Sequence, residues 1–127
     1  MEEILFLPDA EFDVMQIIWE EETPISSVQV FNLSVDKKKW KPQTVLTLLT
    51  RLEKRGFVAS EKRGKERYYW PVVAREDYLK QETGQFVRRF HKNSVTGLMS
   101  ALFGGKKPKG QELDEIEAWL KGDDHDV

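Results

Sequence analysis

The sequence has no cysteine and only two histidines among its 127 residues, and these shortages exclude several kinds of chemistry. Without cysteine there can be no disulfide, no thiolate metal site and no cysteine nucleophile. Neither His91 nor His125 has a partner at the spacing of a metal site or of a catalytic site. We therefore predict a protein that is not an enzyme and that holds neither a metal ion nor a cofactor.

Long hydrophobic runs are also missing. No apolar segment approaches the roughly 20 residues that are needed to span a bilayer. The N-terminus has no basic region ahead of an apolar segment, as a signal peptide would have. We expect a cytoplasmic protein that does not insert into a membrane. Its length and its hydrophobic content of 39% allow one compact domain with a smaller appendage.

Charge is distributed unevenly along the chain, although the net charge is only -2. Residues 37–67 carry eleven Lys and Arg against three Glu, so the remainder of the chain is acidic. A basic centre in an acidic chain is typical of a protein that turns one face towards nucleic acid. Basic loops that served only solubility would not be segregated in this way.

Residues 41–55, in the middle of this basic region, have the pattern of an amphipathic helix. Pro42 suits the first helical position, and Gly56 suits the position after the last one. Apolar residues recur at the spacing of one buried stripe: Val45, Leu48, Leu49 and Leu52. The opposite side, which we call the outer face, carries amide, hydroxyl and cationic side chains: Gln43, Thr47, Thr50 and Lys54. Such groups can bond base edges and phosphates in a DNA major groove, although a helix of this kind taken alone is more often simply solvated.

A second helix is predicted ahead of this one. Ser26 and Gln29 stand three residues apart and predict a capping box at its start. Ile25, just before it, is expected to pair as a short strand. The helix is expected to run to about Asp36 and to bury three apolar side chains: Val28, Phe31 and Val35. The two helices in this order predict a helix-turn-helix whose second helix is the basic one.

After the basic helix, the spacing of side chains changes to that of strands. Residues 57–63 and 66–70 are extended candidates around Gly64-Lys65, and they predict a β-hairpin that Pro71 ends. A basic-tipped hairpin directly after such a helix is a wing, here residues 58–71. Four of its cations are expected to reach the DNA backbone: Lys62, Arg63, Lys65 and Arg67.

The rest of the chain is predicted to be helical and carries more apolar surface than a small winged domain could cover. Large exposed apolar patches usually mark a partner, and the simplest partner is a second copy of the chain. We therefore predict a mainly α fold with a small β-hairpin, in which a winged helix-turn-helix domain at 1–73 is followed by a helical dimerisation domain at 74–127. The residues expected at the dimer contact are Tyr78, Phe86, Phe90, Leu98, Met99, Leu102, Phe103, Leu113, Ile116, Trp119 and Leu120. The alternative is that these helices fold back on their own domain.

Several stretches of the sequence resemble the BlaI/MecI/CopY family, the penicillinase-type repressors of bacteria. The resemblance is carried by residues 8–19, 40–45 and 51–56, by the end of the hairpin at 68–71 and by the helical tail. It implies a homodimeric winged-helix repressor that binds palindromic DNA operators of the TACA…TGTA kind. It also implies control of a β-lactam-resistance-type or related stress operon, with release when a membrane sensor-protease system leads to cleavage in the dimerisation region.

The resemblance also implies roles for single residues. Gln43, Thr44 and Thr47 match the base-contacting positions of the family, and Arg51 matches a backbone contact near them. The full set of expected backbone contacts is Trp40, Lys41, Arg51, Lys54, Lys62, Arg63, Lys65 and Arg67. Many members have lysine at the position of Gln43, and glutamine would favour adenine over guanine there.

Two features of the family are missing from this chain. The Asn-Phe pair at which members are cleaved is absent, and Ala101-Leu102 lies at about that position. The cysteine metal motif of the copper-responsive branch is absent as well. A copper sensor that uses this motif is therefore excluded.

Two other functions are compatible with the same sequence. One is a winged helix that binds protein and docks through Trp40, Leu46 and the wing. The segregation of charge disfavours it, since lysine is depleted at such interfaces. The other is a ligand-gated regulator with a pocket between the tail helices and the winged domain, lined by Tyr78, Phe86 and Trp119.

Overall fold

The computed structural model describes residues 6–36 and 38–122. Within these residues the chain forms six helices and one three-stranded antiparallel sheet, which confirms a mainly α fold with a small β-hairpin. None of the described helices is both long enough and apolar enough to cross a membrane. The elements in chain order are α1 Asp9–Glu20, β1 Ile25–Ser26, α2 Ser27–Ser34, α3 Pro42–Lys54, β2 Val58–Arg63, β3 Glu66–Pro71, α4 Arg75–His91, α5 Val95–Leu102 and α6 Gln111–Lys121.

The chain divides into two compact units between Glu82 and Thr83, at a point inside α4. The N-terminal unit contains α1, α2, α3, the sheet and the first turns of α4. The C-terminal unit contains the remainder of α4 together with α5 and α6. The boundary that we expect from the sequence, after residue 73, lies before α4 begins.

The core of the N-terminal unit is built around α1 and α3. The predicted buried stripe of α3 is confirmed, because its four residues are between 0% and 5% exposed. Burying each of these side chains stabilises the unit by about 1.5–3 kcal/mol. They share one cluster with apolar residues of α1, α2, the sheet and the position just before β2: Val14, Met15, Ile18, Val30, Phe57, Val58 and Tyr69. This burial fixes the rotation of α3 and leaves its outer face exposed.

Local signals in the sequence set the ends of the helices, as predicted. Pro42 begins α3, and Gly56 follows it at a φ of +83°, a conformation that glycine adopts without strain. The capping box is present at the start of α2. There Gln29 N donates to Ser26 Oγ at 3.2 Å, and Ser26 N donates to Gln29 Oε1 at 2.9 Å.

The sheet has the strand order β1-β3-β2, so β3 is the central strand. Ile25 of β1 lies opposite Tyr69 of β3, which confirms the predicted short strand. The hairpin of β2 and β3 is also confirmed, with Arg63 opposite Glu66 and Gly64 in the turn at a φ of +67°.

The second helix differs from its prediction. It ends at Ser34, earlier than expected, and both Val28 and Val35 are 51% exposed instead of buried. Of the three residues that we expected inside, only Phe31 packs against the core. Positions four apart share a helix face, so the burial of Val30 turns Ser34 inward and Val28 outward.

Two ion pairs tie α1 to the segments on either side of α3. Arg55 Nε donates to Glu11 Oε1 at 2.6 Å, and the side chain of Glu11 is only 3% exposed. Ahead of α3, Lys38 Nζ lies 2.8 Å from Asp13 Oδ2 and 6.0 Å from the centroid of the Trp40 ring. Because a buried carboxylate is costly without its partner, Arg55 is held in place. The C-terminal end of α3 is thus anchored to α1 through a buried carboxylate.

Tyr78 lies in the core of the N-terminal unit, and our assignment of it to the dimer contact was wrong. Its side chain is fully buried. Three aromatic rings surround it at centroid distances of 5.6–5.9 Å: Phe12, Trp19 and Phe57. Its hydroxyl accepts from Leu7 N at 2.9 Å and donates to Glu82 Oε2 at 2.7 Å. The first turns of α4 therefore complete the winged unit, and a buried Tyr78 cannot line an open ligand pocket.

Candidate nucleic-acid interface

The outer face of α3 presents the predicted base-contacting residues to solvent. Gln43 and Thr44 are exposed, and Thr47 is partly exposed. Thr47 Oγ1 donates to Gln43 O at 3.0 Å, and Thr50 Oγ1 donates to Leu46 O at 2.9 Å. A hydroxyl has a single hydrogen, so while these bonds are kept the two threonines offer a ligand acceptor oxygens and methyl groups. Such groups suit the amino group of adenine or cytosine and the methyl group of thymine.

Cations frame this face at both ends of the helix. Lys41 is the N-cap residue of α3, and Arg51 and Lys54 lie in its last turn, where positive charge also interacts favourably with the helix dipole. All three side chains are exposed. Trp40 differs from the other predicted backbone contacts, because it is only partly exposed and packs against the core.

The wing carries its predicted cations at exposed positions: Lys62, Arg63, Lys65 and Arg67. The guanidinium of Arg63 lies over the ring of Tyr68, 5.6 Å from its centroid. Arg63 Nε is also 3.5 Å from Glu61 Oε2, in a pair whose two side chains are 52% and 55% exposed. An ion pair this exposed contributes little to stability. The Arg63 side chain is therefore available to a stronger anionic partner such as a phosphate.

A hydrogen-bonded bridge between α3 and the wing was missed in the sequence. Glu53 Oε1 accepts from Ser60 Oγ at 2.7 Å, and the same Ser60 Oγ accepts from Arg67 Nη1 at 2.9 Å. The only signal for this bridge in the sequence was Glu53 itself, because it is one of only three acidic residues in the basic region at 37–67. An open cleft of about 510 Å³ lies between α3 and the wing beside this bridge.

The C-terminal unit exposes an apolar surface, unlike the polar outer face of α3. Neither α5 nor α6 contains a buried residue. Five residues that we assigned to the dimer contact are 46–67% exposed: Phe86, Phe90, Leu102, Trp119 and Leu120. Five others are partly exposed: Leu98, Met99, Phe103, Leu113 and Ile116. An open groove of about 660 Å³ lies between the two helices, and most of its lining is apolar.

The N-terminal unit has the composition and arrangement of a winged helix-turn-helix. Its second and third helices form the helix-turn-helix, and the β2–β3 hairpin follows as the wing. This class of domain binds DNA through a helix whose exposed face is polar and flanked by cations, together with a cationic hairpin beside it.

The family is given by comparison with known proteins. The model of the penicillinase repressor family matches residues 7–122, and the chain belongs to this family. The resemblance found in the sequence is thereby confirmed. The family consists of transcriptional repressors and not of enzymes, so the chain is a DNA-binding repressor.

Two curated relatives match nearly the whole chain. The penicillinase repressor of Bacillus licheniformis is 28% identical over 116 residues, which cover 91% of this chain and 90% of the relative. The methicillin resistance regulatory protein MecI of Staphylococcus aureus (strain N315) is 26% identical over 110 residues, which cover 87% of this chain and 89% of the relative.

Two solved structures match the winged part. The solution structure of the DNA-binding domain of the repressor BlaI is 33% identical with a TM-score of 0.54, covering 61% of this chain and 94% of that one. The solution structure of monomeric Bacillus licheniformis BlaI in complex with the blaP half-operator is also 33% identical, with a TM-score of 0.52 and the same coverage. These likenesses confirm the winged-helix fold.

Proposed function

We propose that two copies of this chain bind a palindromic DNA operator, each through the helix at 41–55 and the wing at 58–71. The observation that carries the proposal is the outer face of α3, where Gln43, Thr44 and Thr47 reach solvent while the opposite stripe is locked in the core. A face that is fixed before binding loses little conformational entropy on binding. The half-operator bound by BlaI of Bacillus licheniformis supports DNA as the ligand.

The second copy is joined through the C-terminal unit. The apolar side chains of α5 and α6 are exposed around a groove of about 660 Å³, and apolar surface of this kind marks a contact with a partner. A homodimer with two-fold symmetry would require an operator with the same symmetry. The genes under control would be a β-lactam-resistance-type or related stress operon, by analogy with the named relatives.

Release follows from loss of the dimer. When two chains are joined, binding of the second half-site becomes intramolecular, and the affinity for the full operator rises by roughly 10²–10⁴-fold. A change that cuts or loosens residues 98–103 would therefore free the DNA without altering the outer face of α3. Ala101 is exposed at the end of α5 and is not among the residues assigned to the dimer contact, so a protease of a membrane sensor system could reach the chain there.

A titration tests the proposal directly. The intact chain is added to a palindromic TACA…TGTA duplex and to a scrambled duplex of equal length at physiological salt, and the mass of each complex is recorded. We expect tight binding to the palindrome alone, by two chains per duplex. Weak and equal binding to both duplexes would contradict the proposal and favour a winged helix that binds protein.

Gln43 should select the base at one position of each half-site. We expect Gln43→Ala to reduce discrimination there by about 1–3 kcal/mol, because the amide can bond adenine at two atoms. Arg51→Ala is the contrasting variant, since removing a cation that binds phosphate weakens binding to all sequences alike. The measurement is a set of titrations with each half-site position substituted in turn. If Gln43→Ala discriminates among the bases at every position as strongly as the wild type does, Gln43 does not contact a base.

The wing should account for part of the salt dependence of binding. Replacing Lys62, Arg63 and Lys65 together by alanine should flatten the slope of log Kd against log salt by about 0.9 for each phosphate that the wing no longer neutralises. The matched control replaces three lysines of the exposed loop in the C-terminal unit: Lys106, Lys107 and Lys109. It removes the same charge and should leave the slope unchanged. Equal slopes in the wing variant and the wild type would exclude the wing from the DNA backbone.

A ligand-gated regulator is the second candidate, and the groove between α5 and α6 is the observation that favours it. Its volume and its apolar lining are those of a small-molecule site. In this case a ligand would occupy the groove and change the affinity for DNA. A protein that stays monomeric on the palindrome would favour this candidate over the dimer.

A further inference from the structure

Glu53 is one of three negative charges among the eleven cations of residues 37–67. It lies in the last turn of α3, is exposed, and borders the open cleft between α3 and the wing. Lys65, Glu66 and Arg67 of the wing line the same cleft. A carboxylate at such a place repels the DNA backbone, so its presence costs affinity unless it has a second effect that exceeds the repulsion.

The hydrogen bonds of Glu53 supply such an effect. Its carboxylate accepts the hydroxyl hydrogen of Ser60 at 2.7 Å, and the oxygen of that hydroxyl accepts from Arg67 Nη1 at 2.9 Å. A serine hydroxyl has one hydrogen to give, and an arginine can only donate. The hydrogen of Ser60 must therefore point away from Arg67, and Glu53 is the acceptor that takes it. The three residues come from α3, β2 and β3, so one chain of hydrogen bonds links the helix to both strands of the wing.

The surroundings of the bridge hold it in one place. Ser60 lies opposite Tyr69 in the hairpin, and Tyr69 is only 3% exposed. Burial raises the pKa of the Tyr69 hydroxyl, while Arg67 lowers it and Glu53 raises it, so both charged groups act on the same buried ring. Arg67 lies opposite Lys62, next to the last pair before the turn, so the bridge runs from beside this buried ring towards the tip of the wing.

We propose that Glu53 is a positioning residue for DNA binding, which acts through Ser60 to hold Arg67 of the wing in a fixed place relative to the outer face of α3. The inference rests on the proposed function and adds a residue to its mechanism. One N–H group of Arg67 is used in the bridge, which leaves most of its donors for a phosphate. Fixing this side chain before binding removes an ordering cost that DNA would otherwise have to offset.

The test uses the intact chain and the palindromic duplex. Whether Glu53→Ala raises or lowers the affinity for this duplex decides between repulsion and positioning. If Glu53 only repels phosphates, Glu53→Ala binds more tightly than the wild type. If Glu53 positions Arg67, Glu53→Ala binds about 3- to 10-fold more weakly, the effect of losing one hydrogen bond. The slope of log Kd against log salt should then fall by about 1, because Arg67 no longer binds a phosphate. The control is Glu66→Ala, which removes the same charge from the exposed tip of the wing and should tighten binding or leave it unchanged.

A conservative variant and a double variant complete the experiment. Glu53→Gln keeps an acceptor for the Ser60 hydroxyl and should retain most of the wild-type affinity. Ser60→Ala should weaken binding as Glu53→Ala does, and the double variant should bind no more weakly than either single one. Tighter binding by Glu53→Ala, or equal losses in Glu53→Ala and Glu53→Gln, would overturn the inference. So would unfolding of the N-terminal unit in Glu53→Ala, which would assign Glu53 to stability. A wild type that does not distinguish the palindrome from the scrambled duplex would instead contradict the proposed function.

Discussion

A chain that ends at Glu82 should bind the full palindromic operator roughly 10²–10⁴-fold more weakly than the intact chain, because the two half-site contacts are no longer linked. The shortened chain keeps the complete N-terminal unit, including Tyr78 and its partner Glu82. It should therefore bind a single half-site as tightly as the intact chain does. The measurement is a pair of titrations, one with the full operator and one with an isolated half-site. Equal affinity of both chains for the full operator would contradict the dimer proposal.

A point variant of the intact chain separates loss of the dimer from loss of the tail. Leu120→Asp places a charge on an apolar side chain that is 66% exposed and lines the groove of the C-terminal unit, so it should weaken operator binding as the truncation does. Ala118→Asp is the matched control, because it adds the same charge to the same helix on the side away from the groove residue Ile116. An Ala118→Asp variant that also failed to bind the operator would show that the added charge alone disturbs the unit.

Tyr78→Ala should destabilise the N-terminal unit by about 3–5 kcal/mol, the range for truncation of a large buried aromatic side chain. The ring is fully buried among three other aromatic rings, and its hydroxyl joins Leu7 to Glu82. Tyr78→Phe keeps the ring and removes only the hydroxyl, so it should cost about 1–3 kcal/mol. Chemical denaturation of the chain ending at Glu82 measures both. A loss below about 1 kcal/mol in Tyr78→Ala would mean that the first turns of α4 are not part of the core.

The raised pKa of Tyr78 also allows a prediction of how the stability of the N-terminal unit changes at alkaline pH. Burial, with the carboxylate of Glu82, raises the pKa of Tyr78 to about 12 from an ordinary value of 10.0, against a lowering by the hydrogen bond from Leu7. The folded state therefore holds this proton more tightly than the unfolded state. Its contribution to stability is complete below pH 10 and is lost as the pH rises from 10 towards 12. In Tyr78→Phe this loss should shrink to the part that comes from Tyr69, whose pKa burial also raises.

Much of the winged unit could be predicted because its signals are local. The apolar spacing of α3, the proline and glycine at its ends and the capping box of α2 each depend on residues a few positions apart. The hairpin followed from two extended segments around Gly64, and the uneven charge marked the face with the exposed cations. The roles of Gln43 and Thr44 in contacting bases came from the resemblance to the family and stay predictions.

The errors arose where burial depends on packing between distant residues. Val28 and Val35 are apolar and were expected inside, yet the packing of α2 against its neighbours buries Val30 and Ser34 instead. An apolar pattern gives the period of a helix, but it does not decide which of two adjacent apolar positions meets the neighbouring helix.

The sequence by itself determined the class of fold, the helix and hairpin that we propose for DNA binding, and the family, because spacing, capping residues and charge are properties of the chain in order. Only the tertiary structure decided that Tyr78 closes the core with Leu7, 71 positions away, and that Arg55 pairs with Glu11, 44 positions away. It also decided that Glu53 reaches the wing through Ser60. Contacts of this kind depend on how packed elements bring side chains within about 3 Å of each other, and spacing along the chain carries no record of that distance.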